Sequence, residues 1–311
     1  VEQLLLQPKA KIAVDIETVS LDNRLSLGIG IALSGDLAVY LFDTFDPWLP
    51  DIFASTETVI FHNGAFNIPL LRDKMGLTIR DYEDTMLIAY SDGILENSLR
   101  ALSKSILGRQ CPSVTDQWRK PNQGNIAIDH VKMGGICMIH ACNTFELERV
   151  LPKTPLYLEI DKPSLELVIE MEGHGILINQ YMLTLVEQQT MEKVMPIETE
   201  LLAELGIENL NSNPQVAEAL RTKGIVGTRK TKSDKDSVGK EALKSLNLPI
   251  TNKILKFRSL MKTLTTYIPS FRGRVDTIGR LHTQYGLART GRWTSSKPNL
   301  QNITRNDKFE D

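Results

Sequence analysis

The chain has 311 residues, with 36 Lys and Arg against 38 Asp and Glu, 41% apolar and 24% charged residues. That balance excludes an intrinsically disordered chain, and the length allows about two domains with a core in each. No stretch reaches the roughly 18 to 20 uninterrupted apolar residues of a membrane span, and the opening VEQLLLQPKAK lacks the pattern of a secretory signal, so a cytoplasmic location without a membrane partner is expected. Cys111, Cys137 and Cys142 are too few and too irregularly spaced for a disulfide framework or a zinc site.

Short apolar runs come first. KIAVDIETV, LGIGIALSG and LAVYLF read as strands, and TVIFHNG as a fourth that ends at a turn signal, Asn63 and Gly64. FNIPLLRDKMG then reads as a helix closed by Gly76, and ENSLRALSKSILG as another, with Leu99, Leu102 and Ile106 at helical spacing and Gly108 beyond its end. Strands followed by helices predict an α/β sandwich. From KPSLELVIEMEGHGILIN onward long helical patterns dominate, notably YMLTLVEQQTMEKVMPIETELLAELG and NKILKFRSLMKTLTTYIPSF. The helix beginning in NLNSNPQVAEAL takes Asn211 or Ser212 as its N-cap. The polar segment GTRKTKSDKDSVGK, bounded by glycines, reads as an exposed loop. The change of texture divides the chain into residues 1–155 and 156–311. Between Lys253 and Asn306, eleven Lys and Arg face one acid, Asp276. So one-sided a stretch suits a polyanion, because each neutralised phosphate releases condensed counterions.

Asp15 and Glu17 lie two apart on an apolar strand, so the pleat sets both carboxylates on one face. Their mutual repulsion calls for a cation, and Mg²⁺ or Mn²⁺ is the oxygen-seeking choice. In this setting DIETVSLDN resembles the first exonuclease motif of family A DNA polymerases, the group of bacterial polymerase I and its phage relatives. That resemblance makes Leu21 a wedge against the frayed primer end. HNGAFN resembles the second motif, with Asn63 in the place of the motif's asparagine and Asn67 where a metal-binding aspartate belongs. YEDTMLIAY resembles the D-T-M-L segment that comes after it. The third motif, aligned on ICMIHACNTFEL through Thr144 and Leu147, sets Ile136 at the family's tyrosine and His140 at its aspartate. Two of four carboxylates and the tyrosine that orients the attacking water are therefore replaced. Two explanations for Asn67 stand side by side, natural decay of the nuclease and a deliberate substitution that protects bound DNA.

The second half extends the resemblance. HTQYGLARTGRWTSSKPNLQNI carries T-G-R, S-S and P-N-L-Q-N-I in the order of the family A polymerase region. By resemblance Arg292 reaches into the minor groove near the primer terminus, while Gln301 and Asn302 help hold template and primer. Minor-groove acceptors are present on every base pair, so such groups inspect pairing without reading sequence. At the tip of the expected thumb, Arg229, Lys230, Lys232 and Lys235 suit contact with a phosphate backbone.

The resemblance implies a ribonuclease H-like exonuclease domain in 1–155, a mixed sheet flanked by helices, followed in 156–311 by a helical thumb and the first part of an α+β palm. It implies a phage-like replicative polymerase section with Asp15, Glu17, Asn67 and His140 as the hydrolytic centre, Asp15, Glu17 and Asn67 as its ligands for Mg²⁺ or Mn²⁺, and DNA primer-template as partner. Fingers and catalytic palm are expected on a second polypeptide or on a further part of the same chain, so this chain alone is not expected to polymerise. A stand-alone 3′–5′ exonuclease and a non-catalytic duplex-binding clamp are the other readings.

Overall fold

The computed structural model describes residues 8–18, 26–42, 46–113, 129–225 and 237–303. Residues 1–173 form one compact unit and residues 174–311 another. Among the described residues no helix is long and apolar enough to cross a membrane.

The first unit is built on a five-stranded mixed sheet, β1 (Lys9–Thr18), β2 (Ser26–Ala32), β3 (Ala38–Leu41), β4 (Thr56–Phe61) and β5 (Asp81–Asp84), in the order β3-β2-β1-β4-β5. Pairing is antiparallel on the β2 and β3 side and parallel on the β4 and β5 side. Alternation along each strand assigns the two faces. Ile12, Val14, Ile16, Ile29, Ile31, Val59 and Phe61 point to one side and are buried. Ala13, Asp15 and Glu17 point to the other and stand opposite Ala32, Gly30 and Gly28 of β2.

Short helices connect the strands: α1 (Leu49–Ala54), α2 (Gly64–Pro69), α3 (Thr85–Ser91) and α4 (Leu99–Leu102). The helices expected at 66–76 and 96–108 each change pitch, with wide π turns at Leu70–Lys74 and Ser103–Leu107. Gly76 and Gly108 close them in the left-handed region. The π turn adds about one residue per turn and rotates the residues beyond it about the helix axis; accordingly Leu102 is buried, whereas Ile106 is exposed.

The long helix α5 (His130–Val150), capped by Asp129, lies across the small-residue face of the sheet. Gly30 makes that approach possible, since a β-carbon there would come within 2.9 Å of the Cys137 carbonyl oxygen. Ala13, Ala32, Ile60 and Ala141 fill the middle of this layer. At its far end Lys11 of β1 pairs with Glu148 at 2.7 Å, and Lys153 reaches the same carboxylate at 2.6 Å and Glu83 at 3.1 Å. These ion pairs fix the register of α5 against β1. A π turn at Tyr157–Asp161 leads into α6 (Lys162–His174), whose Glu166 accepts two bonds from Arg72, at 2.8 and 2.9 Å.

The second unit is mainly helical: α7 (Gln180–Leu205), α8 (Asn213–Thr222), α9 (Lys240–Leu246), α10 (Pro249–Lys262) and α11 (Ile268–Arg272). Ser212, rather than Asn211, caps α8. Val194, Leu201, Leu220, Leu243, Ile254 and Phe257 belong to one buried cluster of this unit. Two ribbons complete it, β6 (Ile176–Leu177) with β7 (Arg280–Leu281), and β8 (Gln284–Leu287) with β9 (Trp293–Ser296).

Gly30→Ala is expected to destabilise the first unit by about 1–3 kcal/mol, because helix and sheet must separate. Gly135→Ala, where an added β-carbon meets nothing within 4 Å, is the matched control. Urea denaturation of both variants measures the difference.

Candidate exonuclease centre and nucleic-acid interface

Asp15 and Glu17 of β1 and His140 of α5 come together on the small-residue face. Their ligand atoms lie within 4.8 Å of one another, a spacing that suits one divalent cation, with two carboxylates and an imidazole as donors. His140 Nδ1 stands 3.2 Å from Asp15 Oδ2 and 3.8 Å from Glu17 Oε1. Its Nε2 lies 2.7 Å from the carbonyl oxygen of Pro112. A carbonyl only accepts, so Nε2 carries a hydrogen and donates it. Nδ1 is then the nitrogen that faces the carboxylates. Burial lowers the pKa of this ring, but the bond to Asp15 and its negative charge, with Cys111 beside the ring, outweigh burial and push the pKa up to about 11. In the ion-free protein His140 is an imidazolium, donating at both ends.

Two more groups crowd the pair. The Cys137 thiol donates to the Asp15 carbonyl oxygen at 3.3 Å, and burial together with the charges of Asp15 and Glu17 holds it protonated. His62, just beyond the end of β4, is half-buried. Burial drops its pKa to about 4 despite Asp15, and the His140 charge works in the same direction. It stays neutral, with Nδ1 2.9 Å from the Thr85 hydroxyl.

Asn67 sits in α2, buried, on the turn that Asn63 opens with a φ of 71°. Its amide nitrogen donates to the carbonyl oxygens of His62 and Asn63 at 3.3 and 3.4 Å, which ties it to its own turn. The candidate cluster of acidic and imidazole groups includes His140 beside Asp15 and Glu17. Asn63 serves through its backbone: its N–H and that of Gly64 donate to Asp84 at 3.2 and 2.6 Å. Asp84 also accepts from Met86 and Leu87 at the start of α3, at 2.9 and 3.3 Å. Burial raises its pKa and these four backbone bonds oppose the rise, with a net upward shift. Its own N–H donates to the Tyr157 hydroxyl, which in turn donates to Glu83 at 2.6 Å. One buried carboxylate therefore fixes both the turn carrying Asn63 and Asn67 and the start of α3. Sequence reasoning missed this role of Asp84, although an Asp just before a helix is itself a capping signal.

In the second unit, Arg292 is exposed at the mouth of the β8–β9 hairpin, where the Ala288 N–H donates to its carbonyl oxygen at 2.9 Å. The Gln301 side chain bridges the strand, donating to the Trp293 carbonyl oxygen at 2.8 Å and accepting from the Ser295 N–H at 3.3 Å. Those bonds make Gln301 a brace of the hairpin that presents Arg292. Asn302 is exposed, its carbonyl oxygen bonded by the Tyr267 hydroxyl at 2.6 Å. Leu21 and the cations Arg229, Lys230, Lys232 and Lys235 lie outside the described residues.

Comparisons with known proteins match the two ends of the chain to different family models. Residues 1–128 match the family model for 3′–5′ exonuclease and residues 180–311 that for DNA polymerase family A. DNA polymerase I of Rhizobium leguminosarum is 29% identical over 299 residues, which cover 89% of this chain and 29% of that protein. DNA polymerase I of Borreliella burgdorferi is 29% identical over 96% of this chain and 36% of its own length. The thermostable DNA polymerase I of Thermus aquaticus is 34% identical over 48% of this chain. The chain thus spans about a third of the length of the first two relatives. The fold matches the POL domain of Pol1 from M. smegmatis, solved with DNA primer-template and dNTP, with a TM-score of 0.76 at 22% identity, over 98% of this chain and 54% of that one. Along this single chain a segment that matches the 3′–5′ exonuclease family thus precedes one that matches DNA polymerase family A, the arrangement of a polymerase I-like chain with a 3′–5′ exonuclease domain and part of a polymerase domain.

Proposed function

We propose that this chain is the exonuclease and thumb section of a replicative family A polymerase, and that its 3′–5′ proofreading centre is impaired by His140 and Asn67. The observation that carries the second half of this reading is the His140 ring against the carboxylates, with Nδ1 3.2 Å from Asp15 Oδ2 and 3.8 Å from Glu17 Oε1. A divalent ion held by Asp15, Glu17 and His140 would polarise a phosphodiester oxygen and lower the pKa of a bound water. To ligate such an ion His140 has to give up its Nδ1 proton, so proton and metal compete for the same carboxylates. A nitrogen donor also shifts the preference from Mg²⁺ towards Mn²⁺. Asn67, where the resemblance expects a metal-binding aspartate, brings no charge, whereas a two-metal hydrolysis relies on anionic ligands to hold both ions.

The exposed Arg292, on the hairpin that Gln301 braces, suits sequence-independent contact with duplex DNA. Nucleotide addition requires fingers and a catalytic palm, supplied by a second polypeptide or by a further part of the same one. A non-catalytic clamp is the reading favoured if the imidazolium has fully replaced the ion.

Cleavage of a 3′-labelled single-stranded oligonucleotide separates these outcomes. The unaltered chain should cut slowly in Mn²⁺ and less in Mg²⁺, while the double substitution Asn67→Asp with His140→Asp should raise the rate by about 100-fold or more. A rate that stays at background in both proteins with either ion rules out the nuclease reading and leaves the clamp.

Stability against pH gives a second check. The folded pKa of His140, about 11, lies above the usual value near 6.5, so its stabilising contribution is complete below about pH 6.5 and is lost as pH rises through 11. In urea denaturation the gap between the unaltered chain and His140→Gln should therefore be larger at pH 6 than at pH 10.

A further inference from the structure

Ile136, at the place of the family's tyrosine, is a buried apolar residue of α5 and offers no hydroxyl to the centre. The sheet brings one from elsewhere. Cross-strand pairing sets Asp15 of β1, Gly30 of β2 and Tyr40 of β3 in one row, and Glu17 opposite Gly28 in the next. Paired residues on neighbouring strands project from the same face. Gly28 and Gly30 place no side chain between β3 and β1, so the Tyr40 ring is able to lean across β2.

It does so. A β-carbon at Gly28 would overlap the Tyr40 hydroxyl and the end of its ring, and a β-carbon at Gly134 of α5 would overlap the base of the ring. The ring thus fills a slot between two glycines, one on the sheet and one on the helix, and its hydroxyl lies over Gly28, the residue paired with Glu17. Burial pushes the phenol pKa up, so the group keeps its proton and acts as a donor. On its outer side the ring meets Phe42 edge-on, with centroids 5.1 Å apart. Packing alone would be satisfied by phenylalanine at position 40.

We propose that Tyr40 is a positioning residue of the nuclease centre, its hydroxyl reaching through the Gly28–Gly134 slot to orient the Glu17 carboxylate, in place of the tyrosine missing at position 136. The proposal rests on the nuclease reading of the centre.

Tyr40→Phe is the test, because it keeps the ring in its slot and removes only the hydroxyl. It is introduced into the unaltered chain and into the Asn67→Asp, His140→Asp protein. Mn²⁺ affinity is read by electron paramagnetic resonance, kcat and KM on single-stranded DNA, and unfolding by calorimetry. The expected result is a loss of about 10–100-fold in Mn²⁺ affinity or kcat, the range for a group that orients a ligand, with KM and melting temperature unchanged. If the doubly substituted protein binds Mn²⁺ and cuts DNA while its Tyr40→Phe form does both equally well, Tyr40 is packing only and the proposal falls alone. If the doubly substituted protein neither binds Mn²⁺ nor cuts, the nuclease reading falls and this proposal with it.

Discussion

Two carboxylates on one face of β1, pressed under a helix, need positive charge within a few ångströms. The first unit is arranged around that need. Asp15 and Glu17 are largely screened from water, and Coulomb repulsion between such neighbours is far stronger there than in solution. His140 answers it from α5. It can do so only because the helix comes close, and the helix comes close because the strand opposite the carboxylates carries Gly30 and Ala32. Breaking such a buried pair by removing one partner typically costs about 3–5 kcal/mol. The same contact that stabilises the layer also occupies the carboxylates an ion would need, so stability and hydrolysis pull in opposite directions at one residue.

Around this pair the structure separates positioning from chemistry. Asp84 spends its oxygens on four backbone N–H groups and so fixes the turn of Asn63 and Asn67. The Lys11, Glu148 and Lys153 ion pairs set how far α5 slides along β1. Gln301 plays the corresponding part in the second unit, completing the hairpin edge that carries Arg292. Asn67 and Arg292 are each held in place by a neighbour whose polar atoms are committed to backbone.

Much of this was legible in the chain. The two-residue spacing of Asp15 and Glu17 within KIAVDIETV placed them on one face, and the apolar runs marked the strands in order. Motif order identified His140 as the counterpart of an acid, but not its second bond to Pro112, which depends on a segment 28 residues away. The glycine alternation in LGIGIALSG was visible yet silent, since a trough has meaning only once β3 is known to pair beyond it. Helix periodicity could not reveal the π turns, beyond which Ile106 faces solvent despite its helical spacing from Leu99 and Leu102. Asp84 escaped notice because its partners are backbone amides, which no side-chain pattern records.

Whether His140 supplies the charge that the carboxylates need is read from its protonation in the ion-free protein, through the ¹⁵N resonances of its ring at pH 8.5. Two protonated nitrogens, beside a neutral His62, are the predicted result. A neutral His140 ring with a bare Nδ1 at that pH would contradict it and show that Asp15 and Glu17 are not balanced by this side chain.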